Sequence, residues 1–86
     1  HTLILKTDAT LWATGLNLNG QLGDGTTTKI NRPKQITTNV KAISAGSNYS
    51  LILKTDNTIW ATGQNSAGSL GDGTTVDKSS YIKIEL

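Results

Sequence analysis

The chain has 86 residues, a formal net charge of +2, no cysteine and no methionine. Those counts allow one small domain, residues 1–86, that buries about 60–65% of its unfolded surface, and they exclude disulfides, thiolate metal sites and thiol nucleophiles. The lysines are scattered rather than gathered into the basic stripe of a nucleic-acid binder, so no nucleic acid is expected as a partner. No apolar run nears the ~20 residues of a membrane-spanning helix, and no signal-peptide pattern is present. Lacking methionine, the chain is expected to be a piece of a longer polypeptide, and its wealth of Thr, Asn, Ser and Gly suits an extracytoplasmic or secreted protein.

The first predicted strand, 2–6, centres on Leu3-Ile4-Leu5, an unalternating apolar run that reads as a strand covered on both faces. A turn at Asp8-Ala9 leads to a second strand, 10–15, and the two read as a hairpin closed at Gly15. A glycine-rich loop over residues 17–28 follows, pinned by Leu22. Strands 33–38 and 40–46 come next, the first tolerating Pro33 only at its start or on an edge. The pattern then repeats as strands 49–54 and 58–63, a turn at Asp56-Asn57, closure at Gly63, a loop over 65–76 pinned by Leu70, and a last strand over 81–85. No helix-period apolar stretch exists, so almost no helix is expected.

The two halves are copies. Leu3 and Leu51, Trp12 and Trp60, and Asp24 and Asp72 are each 48 apart, and the ungapped alignment holds 20 identities in 38 positions. A fixed period of this size marks a repeat architecture whose units bury their faces on neighbours. Repeat one is expected at 1–38 and repeat two at 39–86. Four short strands per repeat is the scale of a β-propeller blade, so the expected fold is all-β: two blades, one strand short, from a larger propeller or an assembling subunit. Exposed blade edges in such a piece predict self-association.

The ordered motifs Ile43-Ser44-Ala45-Gly46, Tyr49-Ser50-Leu51-Ile52-Leu53, Asp56-Asn57-Thr58-Ile59-Trp60-Ala61-Thr62-Gly63 and Asn65-Ser66-Ala67-Gly68-Ser69-Leu70-Gly71 resemble the repeat of the regulator of chromosome condensation family. The first copy keeps His1 and the fuller Asn17-Leu18-Asn19-Gly20-Gln21-Leu22-Gly23. The resemblance implies a propeller closed at about seven blades. It also implies functions from guanine-nucleotide exchange and chromatin binding in eukaryotes to protein-inhibitory or surface interaction modules in bacteria, and the composition tilts the expectation towards a bacterial protein. No residue here maps onto a dedicated exchange element. The family's turn glycine is Ala9 in one copy and Asn57 in the other. Because Asn tolerates the left-handed conformation better than Ala, the two turns are predicted to differ in type.

Duplication strips functional weight from the most eye-catching residues. Asp24 and Asp72 sit in Gly-Asp-Gly-Thr-Thr loops with one carboxylate each, too few for calcium, and without the lysine and helix of a phosphate loop; no metal or cofactor is expected. Trp12 and Trp60, Gly15 and Gly63, and Leu22 and Leu70 read as structural. His1 is the only histidine and aligns with Tyr49, and a hydrolytic triad lacks its base. Glycosidase-type carboxylate pairs are open by spacing, yet Asp8/Asp56 and Asp24/Asp72 are repeat-equivalent turn residues. The chain is therefore read as non-enzymatic, a protein-binding scaffold whose partner is another protein. The alternatives are carbohydrate or other ligand binding at the loop face, or the guanine-nucleotide-exchange or chromatin-binding role that the resemblance implies. Specificity belongs where the copies differ: segments 28–34 and 76–82, with Lys29, Asn31, Arg32, Lys34, Lys78 and Tyr81 as candidate contacts, and the loop positions Leu16, Leu18 and Asn19.

Overall fold

The computed structural model describes residues 1–85. Seven strands run in order: β1 Thr2–Leu5, β2 Leu11–Gly15, β3 Ile30–Thr37, β4 Val40–Ala45, β5 Tyr49–Lys54, β6 Ile59–Gly63 and β7 Lys78–Lys83. They form two antiparallel meanders, one of three strands (β1-β2-β3) and one of four (β4-β5-β6-β7), with no helix among the described residues. These are two propeller blades, the first lacking a partner equivalent to β4 on its β1 edge. The chain's radius of gyration, 11.6 Å, is close to the value of about 12 Å for a compact chain of this length.

Strand count and order match the sequence reading, but two strand starts move by three residues, the seventh strand ends at Lys83 rather than 85, and other ends shift by one. The third and seventh strands start at Ile30 and Lys78, three residues before the predicted 33 and 81. The cause is a bulge at the same place in both blades. Ala13 pairs with Lys34 while Gly15 pairs with Ile30, and Ala61 pairs with Ile82 while Gly63 pairs with Lys78. Pro33 lies inside this bulge on the outermost strand, where its missing N–H breaks no second ladder. Gly15 and Gly63, with φ of 109° and 114°, adopt the backbone that the irregular pairing needs.

The hairpin turns correct an expectation. Ala9 and Asn57 both take positive φ, 68° and 69°, and both turns close with the same bonds: Ala9 N–H to Lys6 O at 3.0 Å and Asn57 N–H to Lys54 O at 2.9 Å. They are one turn type, not two. Asp8 and Asp56 impose it by accepting from the backbone and hydroxyl of Thr10 and Thr58. Those bonds hold both carboxyls below their ordinary pKa. Ala9 thus sits in a conformation unfavourable for a Cβ by roughly 1–2 kcal/mol.

The core lies between the blades. Leu11, Val40 and Ile52 are its buried centre, packed by Leu3, Leu5 and Ile36 from the first blade and Ile43, Trp60 and Tyr81 from the second. Pairing Leu3 with Ala13 and Leu5 with Leu11 places these four on one face of the first sheet. That face covers the Ile52–Trp60 face of the second sheet, whose members pair across β5 and β6. Only seven apolar residues are buried among those described, three of them in this central cluster. Polar loop contacts must therefore supply much of the stability.

Candidate functional site

Each glycine-rich loop is organised by one buried asparagine. Asn17 Nδ2 donates to the carbonyls of Thr26 (2.9 Å) and Thr28 (3.1 Å) and approaches Asp24 Oδ1 (3.2 Å), while its Oδ1 accepts from Leu22 N–H at 3.0 Å. Asn65 repeats the set with Thr74 O, Val76 O, Asp72 Oδ1 and Leu70 N–H, at 3.1, 3.1, 3.0 and 3.0 Å. A carboxamide suits this position because it donates and accepts at once, which a carboxylate or an amine cannot do. Both asparagines are fully buried. Sequence reasoning passed over them; their recurrence as the first residue of each Asn-x-x-Gly motif was the available signal.

The aspartates are turn anchors. Thr26 N–H and hydroxyl donate to Asp24 Oδ1 at 2.9 and 2.8 Å, and Thr74 does the same for Asp72. Lys34 reaches Asp24 Oδ2 at 3.3 Å and Lys78 reaches Asp72 Oδ2 at 2.8 Å. Desolvation pushes Asp24 up, but the bonds from Thr26, Asn17 and Lys34 outweigh it, so its carboxyl lies below the usual range. Asp72 is held well below that range, chiefly by Lys78 and then by Thr74. Both carboxylates are engaged by their own loop and strand, leaving neither side chain as a free ligand arm. The two tryptophans are likewise equivalent: each Nε1 donates to a threonine two residues back, and Lys6 or Lys54 stands over the ring at 4.8 or 4.7 Å.

The first loop does more than the second: it forms the seam between blades. Thr62 Oγ1 lies 2.7 Å from Gly20 O and 2.8 Å from Lys78 O, and Ser50 Oγ donates to Gln21 O at 2.7 Å while sharing its oxygen with His1 Nε2 at 2.8 Å. Gly25 N–H donates to Ser79 O at 2.8 Å, Asp24 pairs with Ser80, and Asn19 Nδ2 donates to Asp77 Oδ2 at 3.0 Å. Tyr81 lies in this seam, its ring so close to Gly23 that a Cβ there would meet it at 2.5 Å. Its hydroxyl is buried, and desolvation raises its pKa against the opposing influence of Ser50.

The candidate contact residues therefore divide. Tyr81 fills the seam, Lys78 is tied to Asp72, Thr74 and Val76, and Lys34 is paired with Asp24. Lys29, Asn31 and Arg32 stand exposed on β3 and the chain entering it. Gly15 pairs with Ile30, so Leu16 and Lys29 leave the sheet at the same end. Leu16 and Leu18 are 56% and 80% exposed there. Leu16, Leu18, Lys29, Asn31 and Arg32 are thus exposed residues of the first blade, all at positions where the copies differ.

Two models of the "Regulator of chromosome condensation (RCC1) repeat" match this chain, over residues 8–53 and 40–69. The chain belongs to the RCC1 repeat family. Among solved structures, human WBSCR16 superposes with a TM-score of 0.83 at 22% identity, covering 96% of this chain and 23% of that one. Yeast RCC1 (Prp20), solved with Kap60 bound, gives 0.82 at 23% identity, with 98% and 20% coverage. The chain spans about a quarter or less of each of these two structures. No curated protein sequence matches it.

Proposed function

We propose that this chain is a non-catalytic protein-interaction scaffold and that its contact surface is the outer end of the first blade. One observation supports this above the others. Asp8, Thr10, Asn17, Asp24 and Thr26, which the copies share, are spent on turns and loop hubs, whereas exposed Leu16, Leu18, Lys29, Asn31 and Arg32 are all unshared. A repeated scaffold with unrepeated surface residues is the arrangement expected of a binding module. Arginine flanked by exposed leucines suits a protein partner whose surface is apolar with an acidic rim. Within the family, yeast RCC1 (Prp20) has been solved with a protein partner, Kap60.

The test is quantitative capture with the chain immobilised, wild type against a Leu18→Ser, Arg32→Glu double variant. Both positions are exposed and outside the core, so the variant should keep the wild-type fold by circular dichroism. A partner held by this surface should lose at least about tenfold in affinity. Undiminished affinity in the double variant would remove the assignment.

A further inference from the structure

Asn19-Gly20 is the only place in the chain where glycine follows asparagine; the second copy reads Ala67-Gly68 there. Asparagine amides are chemically labile, and a following glycine, having no Cβ, leaves its backbone nitrogen free to attack the amide carbon. In that step the Gly20 nitrogen bonds to Asn19 Cγ, the Cγ–Nδ2 bond breaks, and Nδ2 leaves as ammonia with the Gly20 amide proton. Water then opens the resulting five-membered imide at either carbonyl. The product is an aspartate or an isoaspartate, with a carboxylate where the amide stood. The Asp24-Gly25 and Asp72-Gly73 pairs close such a ring only from the neutral acid. Their carboxyls stay ionised, Asp24 despite its desolvation through the bonds from Thr26, and Asp72 chiefly through Lys78.

The seam holds this pair away from its own chemistry. Gly20 N–H donates to Asn17 O at 2.9 Å, and Gly20 O accepts from Thr62 Oγ1 at 2.7 Å. A Cβ on Gly20 would lie 2.5 Å from Ser79 Cα, so the residue has no room to swing. Asn19, half-buried, is gripped at both ends, its N–H by Gln21 Oε1 and its Nδ2 by Asp77 Oδ2, each at 3.0 Å. Parting of the blades frees Gly20 and the amide together. The product then resists closure. Asp77 Oδ2 loses its donor and faces a second carboxylate, while Asp77 Oδ1 is committed to Asn65 N–H, at the hub of the other loop, at 2.9 Å. Isoaspartate also adds one backbone carbon directly before Gly20, where the clearance is already used. We infer that Asn19 is a deamidation site guarded by the closed seam, and that its conversion is a one-way latch holding the blades apart. The second loop, with Ala67 at this position, carries no such latch.

Peptide mapping by mass spectrometry after incubation at mildly alkaline pH tests it, with the folded chain set against the urea-unfolded one. Unfolded, Asn19 should convert before any other asparagine; folded, it should convert at least about tenfold more slowly. Thr62→Val removes the hold on the Gly20 carbonyl at nearly constant shape. That variant should convert faster than wild type while its circular dichroism is unchanged. The latch is read on the converted chain after refolding. It should melt below an Asn19→Ala chain carried through the same incubation, because alanine removes the bond to Asp77 without adding a charge or a backbone carbon. Equal rates folded and unfolded, or a different asparagine converting first, would overturn the site. A Thr62→Val rate equal to wild type would overturn the guard, and a converted chain that melts with Asn19→Ala would overturn the latch.

Discussion

The loops at residues 17–28 and 65–76 share a hub asparagine, a buried leucine, an aspartate anchor and the same internal bonds, yet they live in different surroundings. Gly20 and Gln21 are buried against the second blade and Leu22 is buried beside them; of their equivalents only Leu70 is buried, and Gly68 and Ser69 are exposed. Leu22 and Leu70 are thus held by the loop itself, and the glycines by what docks on it. The loop is a self-supporting part with a backbone surface to offer, and only one of the two has found a taker within the chain. In a repeat protein, stability divides between the unit and its interface, and this pair of loops separates the two contributions.

The sharpest way to break the comparison is to put the same side chain into both loops. Gly20→Asn should destabilise by about 3 kcal/mol or more, because its Cβ would lie 2.5 Å from Ser79 Cα and 2.6 Å from the Lys78 carbonyl oxygen, backbone that cannot step aside. Gly68→Asn should change stability by less than about 0.5 kcal/mol in the monomer. Urea unfolding of the two variants measures the difference directly, and equal losses would mean that the seam contributes nothing. Next in size are the hubs. Asn17→Ala and Asn65→Ala each strand buried carbonyls and an N–H, at about 1–3 kcal/mol. The former should lose more, since its loop also carries the seam. Thermal unfolding followed by tryptophan fluorescence reports both. The smallest effect comes from the hairpin turns, where the copies share a backbone and differ in residue. Ala9→Gly should stabilise by up to about 1 kcal/mol by relieving the left-handed alanine, and Asn57→Gly should do less because asparagine already tolerates that conformation.

Much of this was legible in the residues. The Leu-Ile-Leu runs, the Asp-x-Thr turns and the closing glycines mark β1, β2, β5 and β6 almost to the residue, because local periodicity and turn chemistry act over a few positions. The starts of β3 and β7 were hidden: segments 28–34 and 76–82 share no pattern, and pairing with Gly15 and Gly63 through a bulge decides where those strands begin. Ala9 misled for a related reason. Asp8 and Thr10 hold the turn in a form that its own preference opposes. Tyr81 looked like a surface anchor by residue type and lies in the seam, since nothing local says that the first loop's Gly23 will arrive against its ring.

By itself the sequence determined the unit: a strand-rich repeat with an offset of 48, its turns, the leucine that pins each loop and the demand that each apolar strand be covered on both faces. Only the tertiary structure decided which copy has that demand met on which side. Leu3 and Leu51 are the same residue in the same local frame; one packs into the core between the blades, and the other lines an open groove. Identical residues carry identical local preferences, whereas burial is set by what packs against them.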